Sequence, residues 1–421
     1  MLEKLRFLIN RVGERLWVKP LLACILSLVL VFLAKTADGY EFGRWVPEIT
    51  KESVEALLSI IASSMMVIAT FAVGSMVAAY NSAGMNATPR SFSVVIADDE
   101  SQNALSTFIG TFIFSIVALI ALKNGYYDST SRFVIFALTI VILAMVIVTF
   151  VRWVDRIARL GRLGNTIQKV EAATCEALLR RRRMPNLGGV PVSDGGFDGI
   201  AVRGKSIGYL QRIDVATLQR CAERHDALIR IAVLPGSFVT PDRVLAYMVR
   251  ENGAAMSDID EGEIASAFLT GHERKFDDDP RFGLIVLAQI ATRALSPAVN
   301  DPGTAIDIIA SLVRLFALWV GTEKGSDAQA GACQRVEVPE LSMSDMFEDA
   351  FKAIGRDGAG SIEVVVRLHK AFGSLAALGD PVVSEAARAQ SRLALARSQA
   401  ALTLPDDLKL ASRIAGRVDS A

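Results

Sequence analysis

Cysteine and histidine are scarce, with four Cys and three His in 421 residues. Cys24, Cys175, Cys221 and Cys333 form no C-x-x-C pair, and Cys24 sits inside an apolar run. That spacing argues against both a zinc site and a disulfide framework. The four read as lone, small, apolar-like thiols. His225, His272 and His369 have no second His at i+3 or i+4, which removes a zincin-like site. Asp277–Asp279 lacks the spacing of a calcium loop and reads as helix capping. The expectation is that the chain carries neither a G-x-S-x-G nucleophile elbow nor a phosphate loop with G-K-S/T. With no nucleophile, metal or cofactor constellation, the expectation is no enzyme and no cofactor. Lys plus Arg and Asp plus Glu both number 45, so no global field points to nucleic acid.

Apolar sequence, by contrast, is abundant, at 52% of residues with a mean hydropathy of +0.37. Phe133–Val151 runs nineteen residues without a charge. At about 1.5 Å per helical residue it matches a bilayer core of ~30 Å. Three further spans are expected, giving 16–34, 56–80, 104–122 and 133–151 within a membrane domain of residues 1–153. Residues 1–20 carry five cations among apolar residues, and read either as an amphipathic surface helix or as a basic leader. The small-xxx-small pairs Ser59/Ser63, Gly74/Ala78 and Ser106/Gly110 suit close helix packing. No ionisable residue lies near a span centre, which argues against a proton relay. Lys and Arg flanking the spans number eleven on the side of the N-terminus and five on the other. The positive-inside rule therefore puts both termini in the cytoplasm of an inner-membrane protein.

Residues 81–103 break this pattern. Asn81, Gly84, Asn86 and Pro89 interrupt the helix, a short apolar patch follows, and Gln102 and Asn103 lead into the third span. The segment reads as re-entrant or interfacial, or as a surface loop that caps the third helix through Asp98 or Asp99. If it enters the bilayer, Asn81, Asn86, Gln102 and Asn103 form a polar lining.

Beyond Arg152 the helical pattern continues toward Arg183, with a break expected at Gly161 or Gly164. Residues 154–206 are a connecting helix followed by a Gly- and Pro-rich linker. Residues 207–250 read as a small β-rich, barrel-sandwich-like unit with strands at 207–213 and 228–234 and a helix at 215–224. No Lys falls between Lys205 and Lys275, so a swinging-arm carrier is rejected. Residues 251–421 read as helical. Asp279-Pro280 and Asp301-Pro302 each open a helix, the Asp as N-cap and the Pro at N1. The fold class expected is thus a four-helix membrane domain plus a cytoplasmic α+β domain.

Three pieces of the chain recur together: SSMMVIATFAVGSMVAAYNSAGMNATPRSFSVVIADDESQNALSTFIGTFIFSI, GYLQRIDVATLQRCAERHDALIRIAVLPGSFV and ERKFDDDPRFGLIVLAQIATRALSPAVNDPGTA. On these, roughly from Arg6 to Trp319, the chain resembles the bacterial predicted-membrane-protein family called domain of unknown function 2254. ALSPAVNDPGTA is the most specific part. In the 81–97 loop Pro89-Arg90 stands with few other cations, where the family is more basic. The resemblance implies membrane residence and a cytoplasmic domain, and supplies no activity. Two functions are expected. One is a channel or transport-type homo-oligomer in the lipid bilayer. The other is a membrane-anchored scaffold or sensor that binds a protein or small ligand around Arg293, Asn300 and Asp301.

Overall fold

A computed structural model describes residues 17–39, 49–96, 99–193, 199–249, 261–322 and 333–419. Residues 1–16, most of the basic N-terminal segment, lie outside that set, as does Asp98. The chain divides into two compact units at Thr166/Ile167.

The first unit is helical. Its elements are α1 (Val18–Ala34), α2 (Lys51–Asn86), a short α3 (Phe92–Ile96), α4 (Asp99–Lys123) and α5 (Ser129–Leu160). At 36 and 32 residues, α2 and α5 are about 54 and 48 Å long, more than a bilayer core needs. The long helices alternate in direction. At one end, Tyr127 Oη donates to Val31 O (2.9 Å), Ser131 binds Asp38, and Lys123 pairs with Glu55. At the other end Ser82 Oγ reaches Gly161 O, Arg156 pairs with Glu100, and Val95 packs with Tyr80 and Leu160. α1 and α4 run parallel and touch closely. A Cβ on Gly110 would lie 3.0 Å from Ala23 Cβ, and Ser27 Oγ binds Gly110 O at 2.8 Å. The interior is filled by Leu58, Met65, Phe108, Phe114, Ile135 and Ile142. Large apolar side chains such as Leu22, Phe71, Val141 and Val151 point outward instead, the pattern of helices whose solvent is hydrocarbon.

The expected break near Gly161 is present: α5 stops at Leu160, and α6 (Leu163–Arg183) begins after one turn. Among its described residues the second unit then adds seven strands: β1 (Ile200–Arg203), β2 (Gly208–Ile213), β3 (Leu228–Ile231), β4 (Phe238–Val239), β5 (Val244–Val249), β6 (Phe268–Gly271) and β7 (Val336–Glu337). They form a four-stranded sheet, β1-β5-β3-β7, and a three-stranded sheet, β4-β2-β6. Pairing is antiparallel except β3 with β7. α7 (Val215–Arg224) and α8 (Glu261–Ser266) pack on this small β region.

Described parts of the Gly- and Pro-rich stretch are docked rather than free. Asn186 Nδ2 donates to Val338 O at 2.6 Å, and Val190 bridges to Glu337. The remaining described helices are α9 (Pro280–Ala294), α10 (Pro302–Gly321), α11 (Met343–Phe347), α12 (Ala353–Asp357), α13 (Ile362–Ala376), α14 (Pro381–Ala401) and α15 (Pro405–Asp419). A π-helical stretch, Glu348–Lys352, joins α11 to α12.

Five described helices are long and apolar enough to cross a membrane by length and composition. Four of them are α1, α2, α4 and α5. The fifth, α10, differs in its surroundings. Phe316 packs on Phe347 and Phe351, and Arg314 makes a two-pronged pair with Glu171 at 2.7 Å for each bond.

Candidate functional site

The first unit carries a lateral groove of about 520 Å3 between α1, α4 and α5. Its walls are Leu22, Leu26, Leu30, Phe114, Ile142 and Met145, interleaved with Ser27, Ser106, Thr107 and Thr111. The hydroxyls are largely turned back on helix carbonyls. Ser106 binds Gln102 O at 2.7 Å, Thr107 binds Asn103 O at 2.9 Å, and Ser27 binds Ala23 O at 2.8 Å. Bonded in this way, they offer a groove occupant little polarity. Lys19, near the start of α1, and Asn103, near the start of the parallel helix α4, both line it. The groove is therefore amphipathic.

Three of the four polar residues singled out in 81–103 have described side chains. Asn103 lines the groove, Gln102 is buried, and Asn81 is exposed near the end of α2. Asn86 ends α2, and its side chain lies outside the described set. Between α2 and α4 the chain makes a helical corner. Thr88 caps a 3-10 turn at Pro89–Ser91, α3 follows, and fully buried Val95 packs on Met76, Ala79, Tyr80 and Ala83.

In the second unit, Asp301 is taken up by capping: its carboxylate accepts from Thr304 N at 3.1 Å and Thr304 Oγ1 at 2.6 Å. Asn300 is exposed with φ +49°, and Arg293 is exposed at the end of α9.

The charged groups with the most unusual surroundings gather around Phe276–Pro280. Asp279 caps α9 through Phe282 N (3.2 Å) and accepts from Arg274 Nε at 2.7 Å. Burial pushes its carboxyl up against the pull of Arg274. Burial also raises Asp278, opposed by Arg212, Arg180 and Arg181. Arg181 is 4% exposed, and burial lowers it to about 10. Its Nη1 reaches Pro185 O at 3.4 Å, while Nε and Nη2 have no partner among the described residues. Arg281 binds Asp349 (2.6 Å) and Asp345 (2.8 Å), tying α9 to the helices after β7. On the sheet, Arg230 of β3 pairs with Glu337 of β7 and donates to Ser193 Oγ at 2.6 Å. Burial would raise Glu337, but the bonds from Arg230 and Ser193 outweigh it and hold the carboxyl low.

One sequence pattern corrects the reading above. Residues 199–206, GIAVRGKS, carry the G-x-x-x-x-G-K-S spacing of a phosphate loop, and GKSIG at 204–208 has that of a nucleophile elbow. Both motifs need a strand, a tight turn and then a helix. Here Ile200–Arg203 is strand β1, and Gly208 opens a second strand, β2, so a strand rather than a helix follows the loop. Ser206 Oγ is hydrogen-bonded to Thr270 Oγ1 at 2.7 Å. The spacing is present without the geometry. No cluster of metal-ligating side chains occurs among the described residues.

A multi-helix apolar bundle followed in sequence by a mixed α/β unit defines a membrane-protein class. The chain belongs to the predicted-membrane-protein family DUF2254, whose model matches residues 13–374. It is 37% identical over 117 residues to the uncharacterized protein Rv1290c of Mycobacterium tuberculosis and to the uncharacterized protein Mb1321c of Mycobacterium bovis. Each match covers 27% of this chain and 22% of the relative. No solved structure matches.

Proposed function

We propose a transport-type membrane protein that holds an amphiphile in the lateral groove of its bundle. The observation that carries the reading is the groove itself. It has apolar walls with satisfied hydroxyls, and a cation and an amide in its lining. Such a surface suits a hydrocarbon chain with a polar or anionic head near Lys19. An ion path through a single bundle has less support, since the interior is filled with apolar side chains. The sensor reading built on Arg293, Asn300 and Asp301 also has little support, because Asp301 is committed to capping.

In this reading α1, α2, α4 and α5 are the four spans, and α10 is a core helix of the second unit. The bundle end with Lys19, Arg90, Arg152, Arg156, Arg159 and Arg162 faces the cytoplasm. The second unit, which follows that end in sequence, is then cytoplasmic.

The test is photo-crosslinking of a diazirine-bearing fatty acid to the protein reconstituted in liposomes. Peptides from α1 and α4 are expected to carry the label. Thr107→Phe, which fills the groove, is expected to remove it. Equal labelling of the wild type and the variant would sink the reading.

A further inference from the structure

A second concave site lies in the other unit, on helices the groove does not involve. A cleft of about 300 Å3 opens between α13 and α15, lined by His369, Lys370, Gly373, Arg413, Arg417 and the apolar residues Leu410, Ile414 and Val418. All its charged lining residues are cations. Lys370 and Arg413 are exposed and make no side-chain ion pair among the described residues. α15 lies beyond the residues the family model matches, so family membership does not supply this wall.

The cleft's inner wall holds the more unusual group. His369 is fully buried, with Nδ1 2.9 Å from Ser391 Oγ on α14. Nε2, on the other side of the ring, is buried without a hydrogen-bond partner. A buried polar atom left unpaired costs free energy comparable to a lost hydrogen bond. Ser391 accepts either tautomer, donating to Nδ1 or accepting from it, so Nε2 can offer either a donor or a lone pair.

We propose that this cleft binds a small phosphate-bearing ligand, held by Lys370, Arg413 and Arg417 and completed by His369 Nε2. Lys370 and Arg413, exposed and without a side-chain ion pair among the described residues, with no carboxylate in the lining, favour a dianion over a singly charged carboxylate. A phosphate monoester also brings oxygens that accept from Nε2–H, or a P–OH that donates to it. The volume sits at the small end of ligand pockets, about 300 Å3, which suits phosphate or a compact phosphate ester. The phosphate is supplied either by a soluble ester or by a lipid headgroup.

The test uses the full-length protein in mild detergent, titrated calorimetrically with inorganic phosphate against sodium chloride at matched ionic strength. A second arm titrates phosphatidic acid in nanodiscs. Binding is expected in at least one arm. The double variant K370E/R413E should weaken it about tenfold or more. Arg367→Glu, on the same helix but outside the cleft, should change it by less than about twofold. With three histidines in the chain, histidine-selective 15N spectra are simple enough to follow, and the His369 Nε2 signal should shift on binding. Binding of free phosphate identifies a soluble ligand, and binding of the lipid alone identifies a headgroup. No binding in either arm, equal loss in R367E, or an unmoved His369 signal overturns the proposal.

Discussion

Gly236 shows how a single backbone position is fixed by what surrounds it. It follows Pro235 in a turn, has φ +94°, and a Cβ there would lie 2.2 Å from Asp279 Oδ2. Asp279 has no freedom to retreat, being bound to Phe282 N and Arg274. Gly236→Ala is expected to destabilise by about 2 kcal/mol or more, combining left-handed strain with the clash. Thermal unfolding of the detergent-solubilised protein measures this. His369 sets a pH dependence. Burial lowers its pKa from 6.5 to about 4, so the folded state binds fewer protons than the unfolded state between those values. Its contribution is complete above pH 6.5 and is lost as pH falls toward 4, by up to about 3 kcal/mol. The stability difference between wild type and His369→Gln should therefore shrink with a matching slope in that window. A difference that stays flat from pH 7 to pH 4 would contradict the assignment. The capping roles of Asp279 and Asp301 were legible because Asp-Pro before an apolar periodic run is a local signal. The Nδ1 contact of His369 was not, because Ser391 is 22 residues away on another helix.

Elements declared themselves in proportion to how locally they are stabilised. The long apolar helices, helix 215–224 and strands β2 and β3 fall close to where periodicity puts them. β1, β6 and β7 do not. They are four, four and two residues long and exist through pairing with distant partners. β7 sits in a polar stretch whose Glu337 looks solvent-facing until Arg230 appears opposite it. Arg230→Met should cost about 3–5 kcal/mol by leaving Glu337 buried and unpaired, and adding Glu337→Met should recover most of it. Chemical denaturation of the single and double variants decides. The π-helical stretch at Glu348–Lys352 interrupts the helical run from α11 to α12. In the bundle, Gly110 permits the approach of α1 to α4. Gly110→Leu is expected to lower stability by about 1–3 kcal/mol through overpacking, seen as a reduced Tm in detergent.

At the scale of the molecule, basic residues distinguish the two ends of the bundle. Lys35 pairs with Asp38 and Asp128, and Lys123 pairs with Glu55, so these two lysines are balanced. The opposite end carries the arginine-rich exit of α5. A membrane-impermeant maleimide added to intact cells should label Asn124→Cys and leave Arg162→Cys unlabelled until the cells are opened. The reverse pattern would invert the topology. Hydropathy made the membrane unit readable from composition alone. The groove was not readable, because it depends on the close parallel approach of α1 to α4.

The parallel pairing of β3 with β7 sets an order of events during synthesis. Ile229 and Arg230 leave the ribosome more than a hundred residues before their partners Val336 and Glu337. Until then the sheet ends at β3, with an open edge and Arg230 still lacking Glu337. At roughly 5–20 residues per second that interval lasts on the order of ten seconds. The nascent chain must keep the edge from finding another strand for that long, while α9 and α10 are still being made.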